Sequence, residues 1–156
     1  MTTAPSLTPI LRDFTLGYLL AVLAYGLLAT AVAAMGGPSV GAGGAIVPVI
    51  AAVFYAGHRE AGRVEEAPSG GAAWRIAFAL LGLVLAINVA LFAVYLPFAS
   101  AAEFAVLGQV FGPEGAAILP VILSVIAGLL GLILLVIRFL FPGAVRSGLK
   151  ARRRAR

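Results

Sequence analysis

Few side chains in this 156-residue chain can do chemistry. Nucleophilic catalysis needs a hydroxyl or thiol with a base in hydrogen-bond reach. The chain has no Cys and a single His, His58, which stands beside Arg59 where an apolar run ends. Ser124 lies inside a different apolar run, so the two do not form a hydrolase pair. No GxSxG turn, Walker loop or HExxH helix is present. Without Cys there are no disulfides, iron–sulfur clusters or thiolate metal sites, and one His cannot supply a bis-His haem or a His-rich metal site within one chain. His58 is expected to cap the last-turn carbonyls of its helix or to be solvated. The sequence therefore predicts no enzyme, no cofactor and no metal.

What remains is polar or backbone chemistry inside apolar surroundings. Asn88 is the one amide well inside an apolar run, with Tyr95 on the same helical face seven residues on. A hydrogen bond from Asn88 to another helix is worth only ~0.6–2 kcal/mol, which reads as helix glue; a polar lining is the sharper alternative. Glu103 and Glu114 sit in a stretch without Lys or Arg, either as solvated carboxylates or as a mouth for cations. Pro48 removes a backbone donor and frees the Gly44 carbonyl, which in lipid must find another partner. At four-residue steps Gly44, Pro48, Ala52 and Ala56 form one ridge of small residues, and Pro120, Ser124, Gly128 and Gly131 mark a second such helix; ridges of this kind let helices approach closely. Arg146, Lys150, Arg152, Arg153, Arg154 and Arg156 form a basic tail without any acid. Such clusters attract anionic lipid headgroups at about 1 kcal/mol per residue near the surface. Without interleaved aromatics the tail does not read as a nucleic-acid surface.

The elements that position these groups follow from hydropathy. With 62% hydrophobic and 11% charged residues, the chain has too little polar surface to cover a water-soluble core; its mean hydropathy of +1.10 says the same. The reading is all-α: a polytopic membrane protein with four transmembrane helices in a compact bundle, in a domain covering 1–143 and followed by a basic cytoplasmic tail at 144–156. The helices are placed at about 14–35, 40–57, 74–98 and 115–141, with lengths near the ~20 residues needed to cross a ~30 Å hydrocarbon core. The second, at roughly 27 Å, is the shortest. Met1 to Leu11 reads as a lead-in, and Pro142-Gly143 as the stop of the fourth helix. Ala31-Val32-Ala33 resembles a signal-peptide cleavage site, but the apolar run before it is too long for a signal, so an uncleaved helix is expected.

Charge sets the orientation. Of the 11 Lys and Arg, Arg12 precedes the first run, Arg59, Arg63 and Arg75 flank the middle loop, and the rest run from Arg138 onward. None lies in the other two loops, which by the positive-inside rule places both termini in the cytoplasm. At an offset of 72 residues, Gly44 to Ile50 falls on Ala116 to Ile122 and Leu19 to Val22 on Leu91 to Val94. A duplication would give two proline-broken helices with free carbonyls near Gly44 and Ala116, an arrangement that points to transport.

Gly41 and Gly44, Ala51-Ala52, Gly57, Gly62-Arg63, Pro68 and Trp74-Arg75 together resemble a family of uncharacterised small four-helix inner-membrane proteins of bacteria. The resemblance covers about a fifth of the chain. It implies a bacterial inner-membrane location and no known activity. Two functions are compatible with these residues. One is a non-catalytic accessory or assembly subunit that docks other membrane helices, as a homo-oligomer or in a larger complex. The alternative is a small homo-oligomeric permease or channel.

Overall fold

The computed structural model describes residues 6–37, 43–101, 104–105, 108–109, 112, 115 and 117–155. Glu103, Glu114, Ala116 and Arg156, singled out above, lie outside them. The chain is all-α, with α1 at Leu7–Ala34, α2 at Gly43–Ala61, α3 at Gly70–Tyr95 and α4 at Leu119–Arg154. A 3-10 turn, Leu96–Phe98, extends α3. Three of the helices, α1, α3 with its turn, and α4, are long and apolar enough to cross a membrane. The fourth, α2, has 19 residues and carries His58, Arg59 and Glu60 in its last turn. The chain divides into two compact units, Met1–Leu83 with Ile133–Arg156, and Val84–Leu132.

Helix ends explain where the apolar runs misplace the boundaries. α1 begins at Leu7, seven residues before the first apolar run, because Ser6 takes an extended N-cap conformation and Pro9 falls in the first turn. There a missing N–H costs nothing, since first-turn donors have no intrahelical acceptor. Hydropathy marks the span and misses this polar turn. α1 ends in a Schellman motif: Gly36 has φ +73°, its N–H donates to Ala33 O at 3.0 Å, and Gly37 N–H donates to Val32 O at 2.9 Å. Only glycine adopts that φ without strain, which stops the helix at the turn.

α4 corrects two expectations. Pro120 is its second residue, not an interior one, so it breaks no hydrogen bond and does not match Pro48, which lies inside α2. Pro142-Gly143 does not stop the helix, which runs 36 residues through Pro142 to Arg154, or about 54 Å. The residues past the proline are held as helix by packing: Pro142, Ala144 and Val145 are buried. Tertiary packing has overridden the local breaker.

In the first unit α1 and α2 run antiparallel. A Cβ on Gly17 would meet Ala52 Cα at 3.3 Å, and one on Gly44 would meet the Tyr25 ring at 2.8 Å. α2 and α4 run parallel, because Gly57 faces Ala144 and, four residues on, Ala61 faces Gly148. A Cβ on Gly57 would lie 2.5 Å from Ala144 Cβ and 3.3 Å from Phe141 O, and one on Gly148 would lie 2.6 Å from Ala61 Cβ. This small-xxx-small crossing brings the two backbones together without a hydrophobic driving force. Around it close Ile10 and Phe14 of α1, Val53 of α2, Ile76 and Leu80 of α3, and Ile137 and Phe141 of α4, all with almost no exposure.

Among its described residues, the second unit has little core of its own. From Leu85 to Tyr95 on α3 and from Leu119 to Leu129 on α4 nearly every residue is exposed, with Val121 at 61%. Two of its side chains bond back to their own helices: Ser124 Oγ donates to Pro120 O and Asn88 Nδ2 to Val84 O, each at 2.8 Å. Such i−4 bonds satisfy a polar side chain without a neighbouring helix.

Gly57→Leu is expected to lower the stability of the folded chain in detergent by about 1–3 kcal/mol or more through overpacking where two backbones meet. Gly128→Leu, where nothing lies within 4 Å of the new Cβ, leaves stability unchanged. Denaturant titration of both variants followed by tryptophan fluorescence checks this, with Trp74 the chain's only Trp.

Candidate functional site

Among the described residues, the densest polar cluster lies at one end of the α1–α2 pair. Its centre is Asp13, the only Asp in the chain, whose side chain is 2% exposed. The close approach of Gly17 to Ala52 one turn along α1 holds the helices near enough to enclose it. Asp13 Oδ2 is 2.6 Å from Arg63 Nη2 and 3.7 Å from Arg59 Nε, and Oδ1 is 3.6 Å from Arg12 Nη2. Arg63 Nη1 also donates to Oε2 of the buried Glu60 at 3.4 Å. Arg63 thus joins two carboxylates, one from each helix.

A planar guanidinium suits this because it offers donors to two acceptors at once and is held charged. Its close pairing with Asp13 raises the Arg63 pKa further above the ordinary value, against the lowering effect of burial, with Glu60 adding to the rise. Arg12 and Arg59, both mostly exposed, contribute little by comparison. Both carboxylates are enclosed, so the cluster positions helices and offers no open reactive group. Sequence reading passes over Asp13 as the residue before an apolar run. The available signal is that a lone Asp stands where α1 meets the level of Arg59 and Arg63 on an antiparallel neighbour.

The basic residues near the C-terminus do different things. Arg152 Nη1 donates to Ala61 O at 3.4 Å and Gly62 O at 3.5 Å, satisfying carbonyls that α2 leaves free at its end. Arg138 lies over the Trp74 ring, 5.4 Å from its centroid, and over Phe139 at 5.6 Å. Arg146, Lys150 and Arg153 face Glu65 and Glu66 across a cleft. Arg154 is exposed.

Of the residues chosen from sequence, Pro48, Ala52 and Ala56 are buried and Gly44 lies against Tyr25, all within the first unit. Pro120, Ser124, Gly128 and Gly131 belong to the second unit; the first three are exposed, and a Cβ on either glycine would meet nothing within 4 Å. The close α2–α4 crossing escapes sequence reading, which assigns Ala144 and Gly148 to a tail. His58 Nδ1–H donates to Phe54 O at 3.1 Å, a carbonyl of its own helix. Among the described residues no group of His, Asp and Glu is arranged to hold a metal.

No family model, curated protein or solved structure matches this chain. The geometry alone therefore carries the functional argument.

Removing Arg63 leaves two buried carboxylates, Asp13 and Glu60, without their close partner, whereas removing Asp13 leaves a guanidinium that is 32% exposed and still paired with Glu60. Arg63→Gln is expected to cost about 3–5 kcal/mol, Asp13→Asn less, and the double variant less than their sum. A raised folded pKa gives stability that is fully present below the unfolded value and lost only as pH rises through the folded one. The Arg63 contribution therefore persists throughout the neutral and mildly alkaline range. Arg63→Lys is expected to introduce a loss above about pH 10, where a lysine deprotonates. Denaturant titrations of these variants across that pH range test both statements.

Proposed function

We propose that this chain is a non-catalytic accessory or assembly subunit of a membrane complex, residing in the bacterial inner membrane with four crossings and both termini in the cytoplasm. The distribution of Lys and Arg supports that orientation, with the Asp13–Arg63 cluster and the α4 extension on the cytoplasmic side. α2 is then the short fourth crossing, its apolar part ending at Gly57 and its charged last turn emerging with Arg59 and Glu60.

The observation that carries the reading is the state of α4 from Leu119 to Leu129. This stretch is exposed on nearly all sides, including the face bearing Ser124 and Gly128. Lipid tails cover Val121 or Leu123 as well as any protein does, but a small-residue face that admits close backbone approach fits another helix. Pairing here is the role we assign to Ser124, Gly128 and Gly131.

A permease or channel is the second reading. It rests on Asn88 as a polar lining with Glu103 and Glu114. Asn88 Nδ2 donates to its own helix at Val84 O.

The expected outcome of mild detergent extraction is a stoichiometric complex larger than the monomer, lost in Gly128→Leu although that variant remains folded. A monomeric wild-type protein that moves a solute across liposome membranes would instead support the permease.

A further inference from the structure

Beyond Pro142, α4 carries Arg146, Lys150 and Arg153 at steps of four and three, which places them on one helical face. Like charges at this spacing repel. The α2–α3 connection presents Glu65 and Glu66 to the same open cleft of about 330 Å³, which Ala67 and Leu149 also line. Among the described residues, neither carboxylate closes an ion pair with the three cations. The cleft thus holds three positive and two negative groups with space between them. By contrast, Arg152 on the same helix is already engaged at the end of α2.

A simple anion gains little here, because Glu65 and Glu66 oppose it. A ligand bearing both charges satisfies both walls. We propose that this cleft binds a phosphate ester carrying an ammonium group, with the phosphate on Arg146, Lys150 and Arg153 and the ammonium on Glu65 and Glu66. A soluble phosphoamine and the headgroup of an ethanolamine phospholipid share this chemistry. Arg146 lies eight residues beyond Arg138, or about 12 Å along the helix, so the cleft stands on the water side of the Trp74–Arg138 level. This inference stands apart from the assembly reading: loss of a partner in Gly128→Leu leaves the cleft unchanged.

The test uses the full-length protein in a maltoside detergent, which carries no phosphate, titrated calorimetrically with phosphoethanolamine, inorganic phosphate and ethanolamine. Phosphoethanolamine is expected to bind about tenfold more tightly than either fragment. E65Q with E66Q removes that preference while phosphate binding persists, and K150Q with R153Q weakens phosphoethanolamine about tenfold. Persistence of phosphate binding in the first double variant also shows that it is folded. The proposal is overturned if inorganic phosphate binds as tightly as phosphoethanolamine, if neither binds, or if both double variants behave as wild type. Nanodiscs separate the two sources. Phosphatidylethanolamine that displaces the soluble probe, relative to phosphatidylglycerol alone, identifies the lipid headgroup as occupant; undisturbed probe binding identifies the soluble compound. Either result supports the site.

Discussion

Arg63 stands between two carboxylates that have been taken out of water, Asp13 from α1 and Glu60 from α2. A buried carboxylate without a partner costs several kcal/mol, so the two helices are held in the one register that gives each a share of the guanidinium. That register also sets Gly17 against Ala52 and Gly44 against the Tyr25 ring. It fixes the end of α2, on which the extension of α4 then packs through Gly57, Ala61, Ala144 and Gly148. Arg152 closes the arrangement by taking the last carbonyls of α2.

The chain therefore concentrates its specific packing and leaves long apolar surfaces elsewhere. α1 beyond Tyr18 resembles the helices of the second unit in this respect, with Leu20 at 63% exposure. In water such surfaces would aggregate. In a bilayer they are ordinary where only lipid tails touch them. Two hydroxyls along these stretches bond back to their own helices, Thr30 to Gly26 O and Ser124 to Pro120 O. The backbone demand of a dry environment is met within each helix, which frees the outer surfaces for lipid or for other helices.

Much of this is legible from sequence because hydropathy responds to the solvent a helix must occupy. The apolar runs of α1, α3 and α4 need no knowledge of neighbours. What escapes depends on tertiary partners. Pro142 reads as a stop unless Ala144 and Val145 are known to pack on α2, and a helix assigned as a tail cannot offer Gly148 to Ala61. Pro120 reads as a break only while the start of α4 is placed too early. Asp13 is invisible as a site until α1 is known to begin at Leu7, because a charge just outside a span looks solvated. The small residues of α2 are recognisable as a ridge, but spacing alone does not say that the closest approach falls one step further on, at Gly57.

In the proposed subunit role, the Ser124–Gly128 face of α4 meets another protein helix while the outer face of α1 meets lipid. A photo-reactive benzoylphenylalanine placed at Ser124 and, separately, at Leu20 tests it in native membranes, with both positions exposed in the isolated chain. A discrete protein adduct is expected from Ser124 and only lipid adducts from Leu20. Lipid adducts alone from both positions would contradict it.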